Sequence, residues 1–261
     1  MKGRERKRFP IKSVLVLLAA ALLLGSAVGS TRAALTYYSE NYSAQVRMSS
    51  IGVALLENGE TVSSRAYIDD GVWNETGKGA LLAHMPDGKT TGQLIPGKAY
   101  EERLQVKNTG TIDTFVRVII TRYWKDAEGR KATDLSPALI QLGLAEESGW
   151  IYDDASDEPD YSPEHMVFYY SKALAPNTVS EALSDTLRID PAIAREVKIS
   201  EITDNGTTRQ VYEYRYDGYS LCLEAEVNAV QTHSGAEAIK SAWGVDVILS
   251  EDGNAITGIR H

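Results

Sequence analysis

A strict two-residue alternation late in the chain constrains its fold more than any other feature. Over residues 219–230, one set of side chains is apolar and the set between them is largely polar. The apolar set is Leu221, Leu223, Ala225 and Val227, and the intervening set is Cys222, Glu224, Glu226 and Asn228. Successive side chains of a strand point to opposite faces of a sheet. The pattern therefore predicts a strand with one face in a core and one in water.

Other segments that are rich in β-branched and aromatic residues extend this prediction to most of the chain. The further predicted strands cover residues 53–57, 61–68, 100–107, 115–124, 150–153, 166–172, 183–189, 196–202 and 209–216. Asn58-Gly59 indicates a tight hairpin, because both residues accept the positive φ angles of such a turn. Roughly ten strands separated by Gly, Asn and Asp predict an all-β fold, a jelly-roll-like antiparallel β-sandwich.

Two short helices are predicted in the loops. Ser234-Gly-Ala-Glu237 has the spacing of a capping box, in which the Ser and Glu side chains accept backbone N–H groups at a helix start. That helix is expected to continue to Trp243 and to end at Gly244. A second helix is predicted over residues 136–142, with Pro137 in its first turn.

Residues 1–33 have the three parts of a secretory signal. A basic stretch comes first, eleven uninterrupted apolar residues cover positions 14–24, and small residues precede Ala33 and Ala34. A membrane-spanning helix needs about 20 apolar residues, and this run is shorter. We expect cleavage after Ala33 or Ala34, secretion, and no membrane association after cleavage. A retained N-terminal anchor is the alternative.

The charge of the remaining chain excludes one class of partner. The sequence has 27 Lys and Arg against 36 Asp and Glu, and residues 1–33 hold seven of the basic side chains but one acidic one. The remainder therefore has a formal charge of −15. Nucleic-acid affinity comes mainly from cationic side chains, so nucleic acid is not an expected partner. We predict an extended segment over residues 34–50 and one sandwich domain over 51–261, with an acidic loop insertion at 153–163.

The motifs of common enzymes are absent from the sequence. His84, His165, His233 and His261 form no HExxH pair, and no GxSxG, P-loop or GxGxxG is present. Cys222 is the single cysteine, and no basic residue next to it in the sequence would lower its pKa. We therefore predict that the protein is not an enzyme and that it requires no cofactor.

The acidic loop is a weak candidate for calcium binding. Its carboxylates are Asp153, Asp154, Asp157, Glu158 and Asp160. Calcium takes six to eight oxygen ligands, which clustered carboxylates can supply in part. The residue spacing of a DxDxDG…E calcium-binding loop is missing. A solvated surface loop is therefore the alternative, and no firm metal site is predicted.

Three tyrosines, Tyr212, Tyr214 and Tyr216, share one face of the predicted strand 209–216. Such a row could stack on sugar rings or on a neighbouring subunit. The alternative is cross-strand aromatic packing inside the fold. The three residues are therefore a candidate ligand face.

Three stretches resemble the TasA/camelysin family of Gram-positive bacteria. In residues 17–60, an apolar segment and a Gly/Ser/Thr turn lead to an Ala-rich cleavage region and then to Tyr37-Tyr38-Ser39-Glu40. Residues 94–118 contain LIPG, LQVKN, a glycine and VRV, similar to the family's proline–glycine, V-K-N-x-G and V-R hairpin. Residues 227–243 begin with VNAVQ and end with Ala-Trp, similar to a segment near the end of such chains.

The resemblance implies a jelly-roll fold, removal of the leader by a SipW-type signal peptidase, and assembly into fibres of an extracellular biofilm matrix. In the family, the freed N-terminal segment of one subunit can complete the sheet of the next. The implied partners are other copies of this chain or related matrix subunits. Some relatives have been described as metallopeptidases, an activity that no histidine motif supports in this chain.

The segment 34–50 has the composition that strand donation needs. It contains neither proline nor glycine, so it can add to an open sheet edge through main-chain hydrogen bonds. Its anchoring side chains would be Tyr37, Tyr38, Tyr42, Val46 and Met48. Pairing of this segment within its own domain is the alternative. The expected function is a secreted structural protein of the matrix or cell surface, and the second hypothesis is a secreted carbohydrate- or surface-binding module.

Overall fold

The computed structural model describes residues 12, 15–19, 49–68, 72–76, 79–83, 94–154, 162–204 and 207–260. The chain divides into two compact units, Met1–Arg47 and Met48–His261. In the first unit, residues 15–19 are helical and exposed. Among the described residues, no helix is both long enough and apolar enough to cross a bilayer.

The expected cleavage site and the anchors of the donor segment lie outside the described residues. They are Ala33, Ala34, Tyr37, Tyr38, Tyr42, Val46 and Met48. Three of the five acidic-loop carboxylates, Asp157, Glu158 and Asp160, lie outside them as well. The roles assigned to these residues stay predictions.

The second unit consists mainly of strands. In chain order, the described strands are β1 (Gly52–Glu57), β2 (Glu60–Ile68), β3 (Val72–Glu75), β4 (Gly79–Ala80), β5 (Ala99–Asn108), β6 (Thr114–Lys125), β7 (Lys131–Ala132), β8 (Ile140–Leu144), β9 (Trp150–Tyr152), β10 (His165–Tyr170), β11 (Ser184–Ile189), β12 (Val197–Asp204), β13 (Thr207–Tyr214), β14 (Ser220–Gln231), β15 (Asp246–Leu249) and β16 (Ile256–Arg260). Every ladder between these strands is antiparallel.

Two sheets enclose the main core. The first has the strand order β3-β2-β1-β5-β11-β8, and the second has the order β4-β14-β6-β10-β9, with β7 paired to β6. Inward side chains of both sheets meet in one cluster, in which Leu55, Leu104, Ile120 and Phe168 are fully buried. The predicted all-β antiparallel sandwich is confirmed.

The predicted alternation of apolar and polar side chains over residues 219–230 is confirmed in β14. Leu223, Ala225 and Val227 are buried, whereas Glu224 and Glu226 between them keep partial exposure. This strand pairs with β6 over twelve residues, the longest ladder of the fold. The predicted Asn58-Gly59 hairpin between β1 and β2 is also confirmed, with φ angles of 48° and 92°.

A helix and a hairpin cover the outer face of the second sheet at one end. Helix α1 (Gly235–Trp243) and the β15–β16 hairpin enclose a second apolar cluster that includes Phe115, Tyr169, Val230 and Ile239. A Cβ atom at Gly235 would lie 2.7 Å from the Phe115 ring, so the helix starts where only glycine fits. The second layer explains why Val230 is buried on the face that is polar earlier in β14.

The predicted helix after residue 234 is confirmed, but its predicted capping box is wrong. Ser234 has φ 49° and ψ 46°, and its side chain makes no capping hydrogen bond. The left-handed conformation of Ser234 turns the chain from β14 into the helix, and an N-cap residue that caps with its side chain has an extended backbone instead. The helix ends as predicted at Gly244, which has φ 76° and donates its N–H to Lys240 O.

The second predicted helix, over residues 136–142, is wrong beyond its first turn. A 3₁₀ helix spans Pro137–Leu139, and β8 begins at Ile140. Ile140 and Leu142 are both buried and alternate with more exposed neighbours. Pro137 indicates a helix start correctly, but pairing with β11 and burial of alternate side chains extend the chain as a strand.

The asparagine of the VKNTG stretch joins three parts of the fold. The buried Asn108 side chain donates to Ile112 O at 2.8 Å and to Leu174 O at 2.7 Å, and it accepts the Gly110 N–H at 2.8 Å. A Cβ atom at Gly110 would lie 2.5 Å from Ser50 O, so the turn packs directly on the start of β1. Ser50 N–H also donates to Thr111 Oγ1 at 2.8 Å. The chain therefore enters the sandwich at a fixed point.

Candidate assembly surface

The hairpin of β12 and β13 is a two-stranded sheet of its own. Its strands are eight residues each, and neither pairs with any other strand in the part of the chain that the structure describes. Its ladder places Val197 opposite Tyr214 and Ile199 opposite Tyr212. These four residues, which we call the tyrosine face, lie on one side of the hairpin because cross-strand partners share a face.

Three of the four side chains of the tyrosine face are open to solvent. Ile199, Tyr212 and Tyr214 are 55%, 54% and 55% exposed. An isolated two-stranded sheet is marginally stable in water, and large apolar side chains on its surface gain free energy when a partner covers them. The tyrosine face is therefore a candidate interaction surface.

The charges of the hairpin lie mainly on its other face. That face has Lys198 opposite Glu213, with 3.8 Å between Nζ and Oε2, and Ile202 opposite Arg209. On the tyrosine face, the first charged residue toward the tip is Glu201, opposite Gln210. The four residues of the tyrosine face themselves therefore include no charged side chain.

The hairpin is anchored at its base by the two residues that follow β13. The Arg215 guanidinium donates to Asp134 O at 2.6 Å and lies 3.6 Å from the Glu196 carboxylate. Tyr216 is buried, and its ring packs edge-on against the indole of Trp124 with ring centroids 5.0 Å apart. The prediction that Tyr216 shares a strand face with Tyr212 and Tyr214 is therefore wrong, because β13 ends at Tyr214.

A groove of about 610 Å³ runs along the base of the tyrosine face. Its lining includes Val197, Tyr212, Tyr214 and Tyr219, together with five charged residues, Glu196, Lys198, Glu213, Arg215 and Asp217. Pockets of roughly 300–1,000 Å³ suit small ligands, and rings beside hydrogen-bonding groups suit sugars. Tyr212 and Tyr214 of the candidate ligand face line this groove and Tyr216 does not, and ligand binding there stays a prediction.

Two edge strands of the sandwich are candidates for strand pairing between copies. β8 ends the first sheet and β9 ends the second, and neither contains a charged residue or a proline. Five residues link them, so both edges lie on the same side of the sandwich. Monomeric proteins commonly protect such edges with Lys, Pro, a bulge or a very short strand. Here the β11–β8 ladder has a bulge between Ser184 and Thr186, and β9 has three residues. Leu144, at the end of β8, is 44% exposed.

The described part of the acidic loop is tied to the fold. Tyr169 Oη donates to Asp153 Oδ2 at 3.3 Å. Burial, and secondly the negative charge of Asp153, raise the pKa of Tyr169 to about 12, which the charge of Arg117 opposes. No group of three or more metal-ligating side chains occurs among the described residues. Calcium binding by the loop stays a prediction, since most of its carboxylates lie outside that part.

Cys222 has a basic neighbour that the sequence does not place beside it. Lys125, on the paired strand β6, lowers the pKa of the thiol, yet burial outweighs it and the pKa is raised. The neighbouring Tyr123 Oη donates to Glu224 Oε1 at 2.6 Å. Cys222 is therefore a thiol at neutral pH, whereas a nucleophilic cysteine needs a depressed pKa.

Two glutamates in the main core form a site that the sequence analysis missed. Glu57 at the end of β1 and Glu102 in β5 both have 0% exposure. Burial and the adjacent Glu57 raise the pKa of Glu102 to about 9. The sequence indicates the burial of Glu102, because Glu102 lies on the same face of β5 as the buried Leu104, Val106 and Asn108.

No protein-family model, no curated protein and no solved structure matches this chain.

Proposed function

We propose that the protein is a secreted structural subunit of an extracellular matrix, and that it assembles into fibres through β-strand contacts between copies. The observation that carries this proposal is the tyrosine face, an apolar face on a hairpin whose two edges are unpaired in the described part of the chain. The uncharged edges of β8 and β9 provide a second place where a strand can add.

Charge favours strand contacts over other modes of association. The chain beyond residue 33 has a formal charge of −15, so copies repel one another at a distance. Physiological salt screens this repulsion beyond about 8 Å, and attraction must then act at short range. β8, β9 and the four residues of the tyrosine face have no charged side chain, so contacts between these residues place no like charges together.

The hairpin alone is too small to hold a stable dimer. Eight residues in each of two strands give a face of roughly 27 Å by 10 Å, a few hundred Å². A stable interface buries about 800 Å² on each partner. We infer that the hairpin adds to a larger contact, and the larger contact in this proposal is donation of the segment 34–50 to a neighbouring copy. Head-to-tail donation does not close on itself, so it builds a filament.

Export and processing complete the proposal. A leader over residues 1–33, removed after Ala33 or Ala34 by a SipW-type peptidase, would free the segment that carries Tyr37 and Tyr38. Assembly would then be confined to the outside of the cell. The TasA/camelysin resemblance and the absence of proline and glycine from residues 34–50 support this part.

Removal of the donor segment tests the proposal. Protein that begins at Ala34 is expected to form filaments by negative-stain electron microscopy, and protein that begins at Ser49 is expected to stay monomeric. The deletion should stop there because Ser50 N–H bonds to Thr111 Oγ1 and belongs to the sandwich. Circular dichroism and thermal melting check that both proteins are folded. Equal filament formation by the two would overturn strand donation.

The groove favours a second candidate function, which is binding of a matrix or cell-wall polysaccharide. Tyr212 and Tyr214 would stack on sugar rings, and Glu196 and Arg215 would take hydroxyl groups. The double variant Tyr212→Ala/Tyr214→Ala should lose retardation in gels cast with extracted exopolysaccharide. Tyr67→Phe, a change at an exposed tyrosine outside the groove, is the control. If the double variant is retarded like the wild type, sugar binding at the groove is contradicted.

A further inference from the structure

The buried glutamates Glu57 and Glu102 occupy adjacent strands on the same inward face. Glu57 pairs in register with Leu104, and Glu102 is two residues earlier in β5. Both side chains are fully inaccessible to solvent. Two ionised carboxylates side by side in a core would repel each other and would both lack the hydration that stabilises a charge.

The hydrogen-bond partners of the two carboxyl groups differ. Glu57 Oε1 accepts the backbone N–H of Leu82. Both carboxyl oxygens of Glu102 are buried, and the side chain of Asn58 is the group beside them that favours the ionised form. A protonated Glu102, however, lies within hydrogen-bonding reach of the Glu57 carboxylate. The Glu57 carboxylate is thus an acceptor for a proton on Glu102, and burial together with Glu57 outweighs the opposing effect of Asn58.

The segment that bonds to Glu57 also bridges the two sheets. Leu81 N–H donates to Leu223 O of β14 at 2.9 Å, and the next residue, Leu82, donates to Glu57 of β1. Leu82 has φ 78°, a conformation that costs free energy for a leucine and persists only where its surroundings hold it. Residues 81 and 82 therefore act as a latch across one end of the sandwich.

We propose that Glu102 carries a proton at neutral pH and donates it in a hydrogen bond to Glu57, and that loss of this proton to solvent base loosens the latch at residues 81 and 82. The protonated pair has one negative charge, which Leu82 N–H contacts. The deprotonated pair has two negative charges, so water must enter the core to hydrate them. That water competes with the Leu82 N–H for the Glu57 carboxylate.

The groups around Glu102 agree with this assignment. Burial is the largest effect that raises its pKa, Glu57 raises it further, and the side chain of Asn58 lowers it. In β11, the Ser184 hydroxyl donates to the backbone carbonyl oxygen of Glu102 at 2.8 Å, and not to its carboxyl group. The charged neighbours in β5, Glu101 and Arg103, and Glu60 across the β1–β2 turn are all exposed.

The sign of the pH effect follows from proton counting. The folded chain holds a proton on Glu102 between its ordinary pKa of 4.5 and about 9, and the unfolded chain does not. Unfolding in that range releases one proton, so the unfolding equilibrium constant rises up to tenfold per pH unit from this group alone. Its stabilising contribution is complete below pH 4.5 and is lost as the pH rises through about 9.

Urea unfolding at pH 5, 6, 7 and 8 tests the proposal. Relative to the wild type, Glu102→Gln is expected to become more stable as the pH rises, with the ratio of their unfolding constants changing up to tenfold per unit. The matched control is Glu101→Gln, an exposed neighbour in the same strand, which should follow the wild-type pH dependence. A constant ratio between the Glu102→Gln variant and the wild type across this range would overturn the proposal.

Two measurements on the wild type keep the test decisive if a variant fails to fold. Infrared difference spectra in D₂O between pH 7 and pH 10 should show the loss of a buried protonated carboxyl band. Hydrogen exchange, corrected for its intrinsic pH dependence, should show protection of the Leu82 amide falling over the same range. Absence of the carboxyl band at pH 7, or pH-independent protection of Leu82, would contradict the proposal.

Discussion

Tyr216 packs its ring edge-on against the indole of Trp124, with centroids 5.0 Å apart and 65° between the planes. Tyr214, two residues earlier in the chain, is 55% exposed on the β12–β13 hairpin. The two tyrosines have different roles despite their spacing. Tyr216 fixes the hairpin to the sandwich, and Tyr214 belongs to the surface that the hairpin presents.

The first prediction separates these two roles by stability. Tyr216→Ala should lower the free energy of unfolding by about 3–5 kcal/mol, because it removes a buried aromatic side chain from the core. Tyr214→Ala should change it by no more than about 0.5 kcal/mol, as at other exposed positions. Urea denaturation followed by tryptophan fluorescence measures both. Similar losses for the two variants would contradict the anchoring role of Tyr216.

The second prediction concerns the asparagine that joins three segments. Asn108→Ala removes three hydrogen bonds from a buried site and leaves the Leu174 and Ile112 carbonyls with fewer donors. We expect a loss of about 3 kcal/mol in the free energy of unfolding. Lys107→Ala, at the neighbouring position on the more exposed face of β5, is the control and should cost far less. A loss below 1 kcal/mol for the Asn108 variant, on the order of one ordinary hydrogen bond, would show that this network is dispensable.

The third prediction is a step in alkaline stability. Because the pKa of Tyr169 is raised to about 12 in the folded chain, the neutral phenol is favoured by the fold. Its stabilising contribution is present below pH 10 and is lost as the pH rises toward 12, and it amounts to at most about 3 kcal/mol. Spectroscopic titration of tyrosinate should show a late step that Tyr169→Phe diminishes. Tyr212→Phe serves as the exposed control, and an unchanged late step in the Tyr169 variant would contradict the assignment.

The fourth prediction concerns the tyrosine face in assembly. Ile199→Lys places a charge in the middle of this face, so filaments should form more slowly and at higher protein concentration. Ser200→Lys adds the same charge to the opposite face of the same strand and is the matched control. Static light scattering over time measures the assembly of both variants. Equal assembly by the two would show that the tyrosine face takes no part.

The long strands were predictable because their side chains alternate over many residues. β5, β6 and β14 each bury every second side chain over much of their length, and Asn58-Gly59 specifies the β1–β2 hairpin locally. The short strands β3, β4 and β7 have two to four residues, too few for a period to be visible. β8 was missed because Pro137 gives a local helix signal that tertiary pairing with β11 overrides.

The candidate surfaces were predictable only in part. The exposed positions of Tyr212 and Tyr214 agree with the predicted face, but the end of β13 at Tyr214 depends on where the hairpin joins the sandwich. The burial of Glu102 could have been inferred from its phase in β5. Its contact with Glu57 could not, because the pairing of β1 with β5 brings together residues far apart in the sequence.

The most direct test of fibre assembly is the solution state of the processed chain as its concentration rises. Protein that begins at Ala34 should change from monomers to elongated polymers in sedimentation velocity, and the polymers should appear as filaments by electron microscopy. A single monomeric species at every concentration, with residues 34–48 protected from hydrogen exchange in that monomer, would contradict the proposal that copies assemble by strand donation.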